Sequence, residues 1–179
     1  VTEKELVKGC IRENRSCQQE VFRRYAGKML HVCRRYTRHH MEAEDILQDA
    51  FMQIFDKVHT FKFQGSFEGW VRRIVVNTAL KNYQKSSFKK EQIGIKNRPE
   101  NPVAPEVFSQ LGEEELLNLV ANLPQGYRVV FNLYAIEGYS HKEIAESLGI
   151  GESTSRSQLV KARKMLQSQV LELNKVANF

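Results

Sequence analysis

Cysteine is scarce in this chain of 179 residues, with only Cys10, Cys17 and Cys33. None of them forms a CxxC spacing, and an odd number cannot all pair internally. A disulfide framework is therefore excluded, and the chain reads as a protein of a reducing cytoplasm. Long apolar runs are missing too. No stretch approaches the roughly 20 residues needed to cross a bilayer, so direct membrane insertion is not expected. No secretory signal pattern stands near Val1. The five histidines, His31, His39, His40, His59 and His141, include no HxxxH pair. No nucleophile–base arrangement and no metal-ligand spacing appears among the other residues. An enzyme, a metal site, a cofactor and a small-molecule substrate are accordingly not expected.

Hydrophobic residues make up 41% and charged residues 27%, which suits a packed globular chain. The formal charge of +6 is unevenly spread. Residues 1–97 hold 19 Lys and Arg against 11 Asp and Glu, whereas residues 98–179 hold 8 against 10. The basic excess lies in the first half, which favours a polyanion such as nucleic acid as partner.

Apolar periodicity predicts helices throughout, with no strand-like alternation or hairpin signal. Phe22, Ala26, Met29, Cys33 and Tyr36 recur at three- and four-residue steps and mark one buried face. Ile46, Ala50 and Ile54 form a second row, with Leu47, Phe51 and Phe55 beside it. A third helix is expected from about Ser66 to Ser86, capped by Ser66 and burying Phe67, Trp70, Val71, Ile74, Val75 and Thr78. Three of the four prolines, Pro99, Pro102 and Pro105, then fall within seven residues. The expected division is a helical domain over 1–92, a flexible linker over 93–112 and a second helical domain over 113–179. The fold class is all-α.

The second block opens on Glu113-Glu114-Glu115, which suits a helix N-terminus. Leu116, Leu117, Val120 and Leu123 supply its apolar face. Pro124 opens the next helix, through Val129, Val130, Leu133 and Tyr134, and Gly138 ends it. Residues 140–167 carry the most specific pattern. Ser140 and Glu143 form a capping box, Ile144, Ala145 and Leu148 face inward, and Gly149 suits a left-handed turn anchored by Ile150. A longer helix follows with Leu159, Ala162 and Leu166 inside. Its other side presents Thr154, Arg156, Ser157, Val160, Lys161 and Lys164. A short helix, a glycine turn and a basic second helix describe a major-groove reader. Arg156 suits a guanine edge, while Lys161, Arg163 and Lys164 suit phosphates.

The first block points beyond an ordinary repressor. Arg73, Asn77, Lys81 and Gln84 line the polar side of its third helix. Phe61-Lys62-Phe63-Gln64-Gly65-Ser66-Phe67 interleaves rings with polar and basic residues, a chemistry for unpaired bases, although Phe67 reads as core. A two-domain regulator that never binds polymerase explains residues 140–167 but leaves this loop unexplained.

In their order these motifs resemble bacterial RNA polymerase sigma factors of the extracytoplasmic-function group of the sigma-70 family. The resemblance covers almost the whole chain. Ala43-Glu44-Asp45-Ile46-Leu47-Gln48-Asp49-Ala50-Phe51 resembles the family's polymerase-binding helix. Gly65-Ser66-Phe67-Glu68-Gly69-Trp70 and Arg73-Ile74-Val75-Val76-Asn77-Thr78-Ala79 resemble its promoter-melting and minus-ten segment. Leu123-Pro124 and Gly138-Tyr139-Ser140 through Arg163 resemble its minus-thirty-five reader.

The resemblance implies a division of labour. Asp45, Gln48 and Asp49 would dock on the clamp of the largest subunit of core RNA polymerase. Phe61, Lys62, Phe63, Gln64, Ser66, Trp70, Arg73, Asn77 and Lys81 would meet the minus-ten element, with the Phe61–Ser66 loop capturing a flipped base. Thr154, Arg156, Ser157, Val160, Lys161 and Lys164 would meet the minus-thirty-five element. An anti-sigma protein is an implied partner beside polymerase and promoter DNA, and stress- or signal-responsive promoters are the implied targets. Primary sigma factors carry two adjacent tryptophans as a melting wedge, whereas here Val71 follows Trp70, which implies weaker melting and stricter promoter choice. Gly151 stands where a Ser or Thr cap is common. Ser155 stands where a buried aliphatic residue is common, and if buried it is expected to bond back to a helix carbonyl.

Overall fold

The computed structural model describes residues 1–93 and 112–177, the side chains of 87–93 excepted. Among the described residues every regular element is helical. Most of the expected linker, including Pro99, Pro102 and Pro105, lies outside the described residues. By internal contacts the chain divides into two units, Val1–Asn82 and Tyr83–Phe179.

The first unit holds α1 (Glu3–Ile11), α2 (Arg15–Arg34), α3 (His40–Lys57) and the start of α4 (Phe67–Ile93). Each early helix has a local reason to begin where it does. Thr2 and Glu5 close a capping box on α1, and the Asn14 side chain accepts from Cys17 N–H at the start of α2. α3 buries Ile46, Ala50, Ile54, Leu47 and Phe51 of its expected rows, and Ala43 with them, while Phe55 is only half-buried. Tyr25 ties α2 to α1 by donating to Glu3 Oε2 at 2.7 Å, and its ring meets Phe67 edge-on. Burial, then that bond to a carboxylate, pushes the Tyr25 hydroxyl up to about 12.

Two expectations for this unit need correction. The buried face of α2 is Val21, Tyr25, Met29, Val32 and Cys33, and Phe22 is 43% exposed. Phe22 instead lays its ring edge-on against Phe51 at 4.8 Å. With Val21 and Phe22 adjacent, only one can face inward, and the smaller Val21 fills the interior. The helix expected to end near Ser86 continues to Ile93. On it Phe67, Val71, Val75 and Thr78 are buried as expected, while Trp70 and Ile74 are only half-buried.

The second unit holds α5 (Glu113–Ala121), α6 (Gln125–Phe131), α7 (His141–Leu148) and α8 (Glu152–Ala177). Leu119, Val120 and Leu123 pack against Ala162, Leu166 and Val170 of α8, with Leu116, Tyr127, Phe131 and Met165 around them. Arg128 is buried and donates to the Ala121 carbonyl at 2.8 Å, closing an open carbonyl at the end of α5. α6 does not run on as an α-helix. It passes into a π-helical turn, Asn132–Ile136, in which Glu137 N–H donates to the Asn132 carbonyl. Gly138, at φ +74°, ends it.

Candidate nucleic-acid interface

On α3 the apolar rows leave one side for solvent. Asp45, Gln48 and Asp49 lie on that exposed side, flanked by exposed Met41 and Met52. Two polar bridges fasten α3 to α4: Gln53 Nε2 donates to Thr78 Oγ1 at 3.1 Å and Asn82 Nδ2 to Glu42 Oε1 at 3.1 Å. The Thr78 hydroxyl in turn donates to the Ile74 carbonyl at 2.8 Å.

The loop before α4 is built on rings. Phe61 lies within 5.2 Å of Phe63, 5.2 Å of Phe67 and 5.6 Å of Trp70, centroid to centroid. Trp70 stacks on Phe67 at 5.6 Å with 19° between planes. Phe61 is only 8% exposed. Its ring packs against those of Phe63, Phe67 and Trp70, and of the two loop rings Phe63 is the one that stands open to solvent. Phe63 is 40% exposed and sits at φ +55°. A bulky residue in the left-handed region costs about 1–2 kcal/mol, which the packing beneath offsets. Gly65, at φ +82°, takes a turn that suits a residue without a side chain.

Lys62, Gln64 and Ser66 are exposed around that ring. Ser66 also caps α4, since its Oγ accepts from Gly69 N–H at 3.2 Å. Along α4, half-buried Trp70 and exposed Arg73, Asn77 and Lys81 recur at three- and four-residue steps and share one face, with exposed Gln84 next on it. The structure thus brings the expected loop and the expected helix stripe together at one end of α4.

In the second unit the helix-turn-helix follows its sequence signals closely. Ser140 and Glu143 form the capping box, and Gly149 ends α7 in the left-handed region at φ +66°. Ser155 N–H donates to the Gly151 carbonyl at 3.0 Å, so Gly151 stands at the start of α8. Thr154, Arg156, Ser157, Lys161 and Lys164 are exposed, and Val160 is 48% exposed, an apolar spot among polar neighbours. Arg156 Nη1 lies 3.5 Å from Glu152 Oε2, one turn back on the same helix. Ser157 Oγ donates to the Thr154 carbonyl at 3.1 Å.

Two features of this unit have no local signal in the sequence. Ser155 is fully buried, as its position required, but its recorded partner is not a helix carbonyl. Its Oγ lies 2.9 Å from His141 Nδ1, which overturns the expected back-bond. Arg163, expected to face phosphate, has its guanidinium 5.7 Å from the centre of the Tyr134 ring. Among the described residues no group of three His, Cys, Asp or Glu could hold a metal, and no helix is long and apolar enough to cross a membrane.

Comparison with known proteins agrees with this geometry. The family model for sigma-70 region 2 matches residues 21–88, and that for sigma-70 region 4 matches residues 113–166. The first covers α2, α3, the aromatic loop and most of α4, and the second covers α5 through the basic part of α8. Among curated relatives, the ECF RNA polymerase sigma-E factor of Haemophilus influenzae is 24% identical over 186 residues, covering 97% of each chain. Two solved structures share the fold. One is CnrH in complex with the cytosolic domain of CnrY, at TM-score 0.50 and 19% identity, covering 96% of this chain and 97% of that chain. The other is the sigma factor RpoE of Bartonella quintana with the anti-sigma factor NepR, at TM-score 0.50 and 21% identity, covering 86% and 98%. With both regions in order on one chain, each supplying an outward face of the expected chemistry, the chain belongs to the sigma-70 family as a sigma factor of the extracytoplasmic-function group, a factor of promoter recognition and transcription initiation.

Proposed function

We propose that this sigma factor docks on the clamp of core RNA polymerase through Asp45, Gln48 and Asp49 and carries the enzyme to stress- or signal-responsive promoters. Its two units divide the DNA between them. The first takes the minus-ten element, with Phe63 and its polar neighbours Lys62, Gln64 and Ser66 around an unpaired base. Trp70, Arg73, Asn77 and Lys81 continue along the strand. The second takes the minus-thirty-five element in the major groove through Thr154, Arg156, Ser157, Val160, Lys161 and Lys164. The protein performs no catalysis of its own and acts in the cytoplasm. An anti-sigma partner is part of the reading, because two proteins of this fold were solved bound to such domains or factors.

The observation that carries the reading is the exposed acidic side of α3 in the same chain as the helix-turn-helix. A regulator that binds DNA alone has no use for it. The test is retention of core polymerase by the tagged protein, followed by transcription from a genomic promoter library. The wild type should form a holoenzyme and start transcripts at a discrete set of promoters. The double variant Asp45→Lys/Asp49→Lys should keep its helical circular dichroism and lose core binding. A double variant that still assembles with polymerase places the docking surface elsewhere, and a wild type that never assembles overturns the function.

A further inference from the structure

Ser155 sits between Thr154 and Arg156 at the start of α8, yet it is fully buried. A buried hydroxyl needs a partner. The recorded one comes from another helix: His141, the first residue of α7, holds its Nδ1 at 2.9 Å from Ser155 Oγ. The His141 ring is itself held, stacking on Tyr134 with centroids 4.5 Å apart and 17° between planes. Tyr134 lies in the π-helical turn, and its ring also receives the Arg163 guanidinium at 5.7 Å. Arg163 and Ser155 are both on α8, roughly 12 Å apart along its axis. A chain of contacts, from the Arg163 guanidinium to the Tyr134 ring, from that ring to the His141 ring stacked on it, and from His141 to Ser155, therefore grips α8 at two levels. The first grip sits between the side chains that face outward.

We infer that His141 is a positioning residue for promoter discrimination. Through Ser155 it fixes the rotation of α8 about its axis, and so the aim of Thr154 and Arg156, without touching DNA. A groove reader needs this, because a rotation that leaves the helix in the groove still turns a bidentate donor away from its base. Phosphate contacts are more tolerant, since they depend on charge more than on angle. The inference rests on α8 being the minus-thirty-five reader. Its signature is lost discrimination at kept general affinity.

The test uses holoenzyme assembled from the full chain and core polymerase. The probes are a duplex selected by that holoenzyme from a random library and a scrambled duplex of equal length. Thermal melting first establishes which variants fold. His141→Ala, His141→Phe and Ser155→Ala should each lower the ratio of selected to scrambled affinity roughly tenfold, at the low end of one bidentate base contact. Their scrambled-duplex affinity should be unchanged. His141→Asn places a polar atom where Nδ1 stands and should restore most of the ratio, a rescue that a merely structural role would not produce. The double variant His141→Ala/Ser155→Ala should lose no more than either single change. If His141→Ala does not fold, Ser155→Ala and His141→Asn carry the same comparison. Equal loss on both duplexes, an unchanged ratio in Ser155→Ala, or no rescue by Asn overturns the inference. Arg156→Ala serves as control. If it lowers the ratio while Ser155→Ala does not, only the positioning role fails. If neither Arg156→Ala nor the combined change of Thr154, Arg156 and Val160 to alanine lowers the ratio, the assignment of α8 as reader fails with it.

Discussion

The two units mount their outward side chains in different ways. In the first, Phe63 stands on a loop in a left-handed conformation against the ring of Phe61, which packs in turn on Phe67 and Trp70. In the second, Thr154 and Arg156 stand on a regular helix that follows α7 across the left-handed Gly149 and is tied to the first residue of α7 by the His141–Ser155 bond. An apolar cluster is tolerant of direction but holds a ring firmly in place, which suits stacking with a base already out of the duplex. Hydrogen bonds and caps are directional and fix a helix axis and rotation, which suits reading base edges inside a duplex. Each unit uses the interaction whose geometry matches its task.

The largest break in this comparison should come from the ring beneath the loop. Phe61→Ala removes the shared neighbour of three aromatic side chains and should destabilise the first unit by about 3–5 kcal/mol. Phe63→Ala removes a ring that is 40% exposed and should change stability by less than about 1 kcal/mol, while promoter opening falls sharply. Trp70 is the one tryptophan and packs on Phe61, so its fluorescence during thermal melting of the full chain reports the first unit. Similar melting shifts for the two variants would remove the distinction between supporting and contacting ring.

The second break concerns α8. Arg156→Ala should cost about 1–3 kcal/mol on the selected promoter and relax preference at one base pair. Lys161→Ala should weaken selected and random duplexes alike and reduce the salt slope by about 1. The Arg156–Glu152 pair is exposed on both sides, so its loss adds little to either result. Competition binding over a salt series with holoenzyme checks both. Equal loss for Arg156→Ala on the two duplexes would reduce it to a backbone contact.

A third difference is set by pH. All three cysteines belong to the first unit. Burial pushes the Cys33 thiol up to about 12, and burial with nearby Cys17 pushes Cys10 up to about 11. The folded unit keeps these protons while the unfolded chain releases them near 9.0. Stability is therefore intact below pH 9 and falls as pH rises above it. At about pH 9.5 Cys33 alone should make unfolding easier by roughly 0.8 kcal/mol. Urea melts read by Trp70 at two pH values measure this. Cys33→Ala should flatten the dependence, and an unchanged slope would show that the thiol is not the cause.

How far these features could be read from sequence depends on the range of the interaction behind them. Ser66, Ser140, Glu143 and Gly149 act on residues three or four positions away, and each was legible in place. The rows of α3 were legible because Ile46, Leu47, Ala50, Phe51 and Ile54 agree on one face. Phe22 was not, because Val21 beside it competes for the interior and the packing of neighbouring helices decides. Phe61 and Phe63 alternate in sequence alike, and only the positions of Phe67 and Trp70 determine which ring goes under. The Ser155–His141 bond crosses fourteen positions, and the Tyr134 stack depends on a π-helical turn without a local signature. Short-range chemistry marked the candidate faces, and tertiary packing chose which side chains within them point out.

The smallest prediction sharpens the comparison at the helix starts. α4 begins on Ser66, whose hydroxyl accepts a backbone N–H, whereas α8 begins on Gly151, which has no such group. A β-carbon at Gly151 would meet only Ser153 Oγ and Thr154 Oγ1, each at 3.7 Å, which is ordinary contact distance. Its φ is not in the left-handed region, so a side chain introduces no strain. Gly151→Ser should therefore stabilise the second unit by a few tenths of a kcal/mol, and Ser66→Gly should cost the first unit about the same. The two changes should move the melting of their own unit only. Gly151→Ser should also leave promoter selectivity intact, because a cap acts on the first turn of α8 while its rotation is held by Ser155. Lost selectivity with a raised melting temperature would show that the glycine start, rather than the buried hydrogen bond, sets how α8 is aimed.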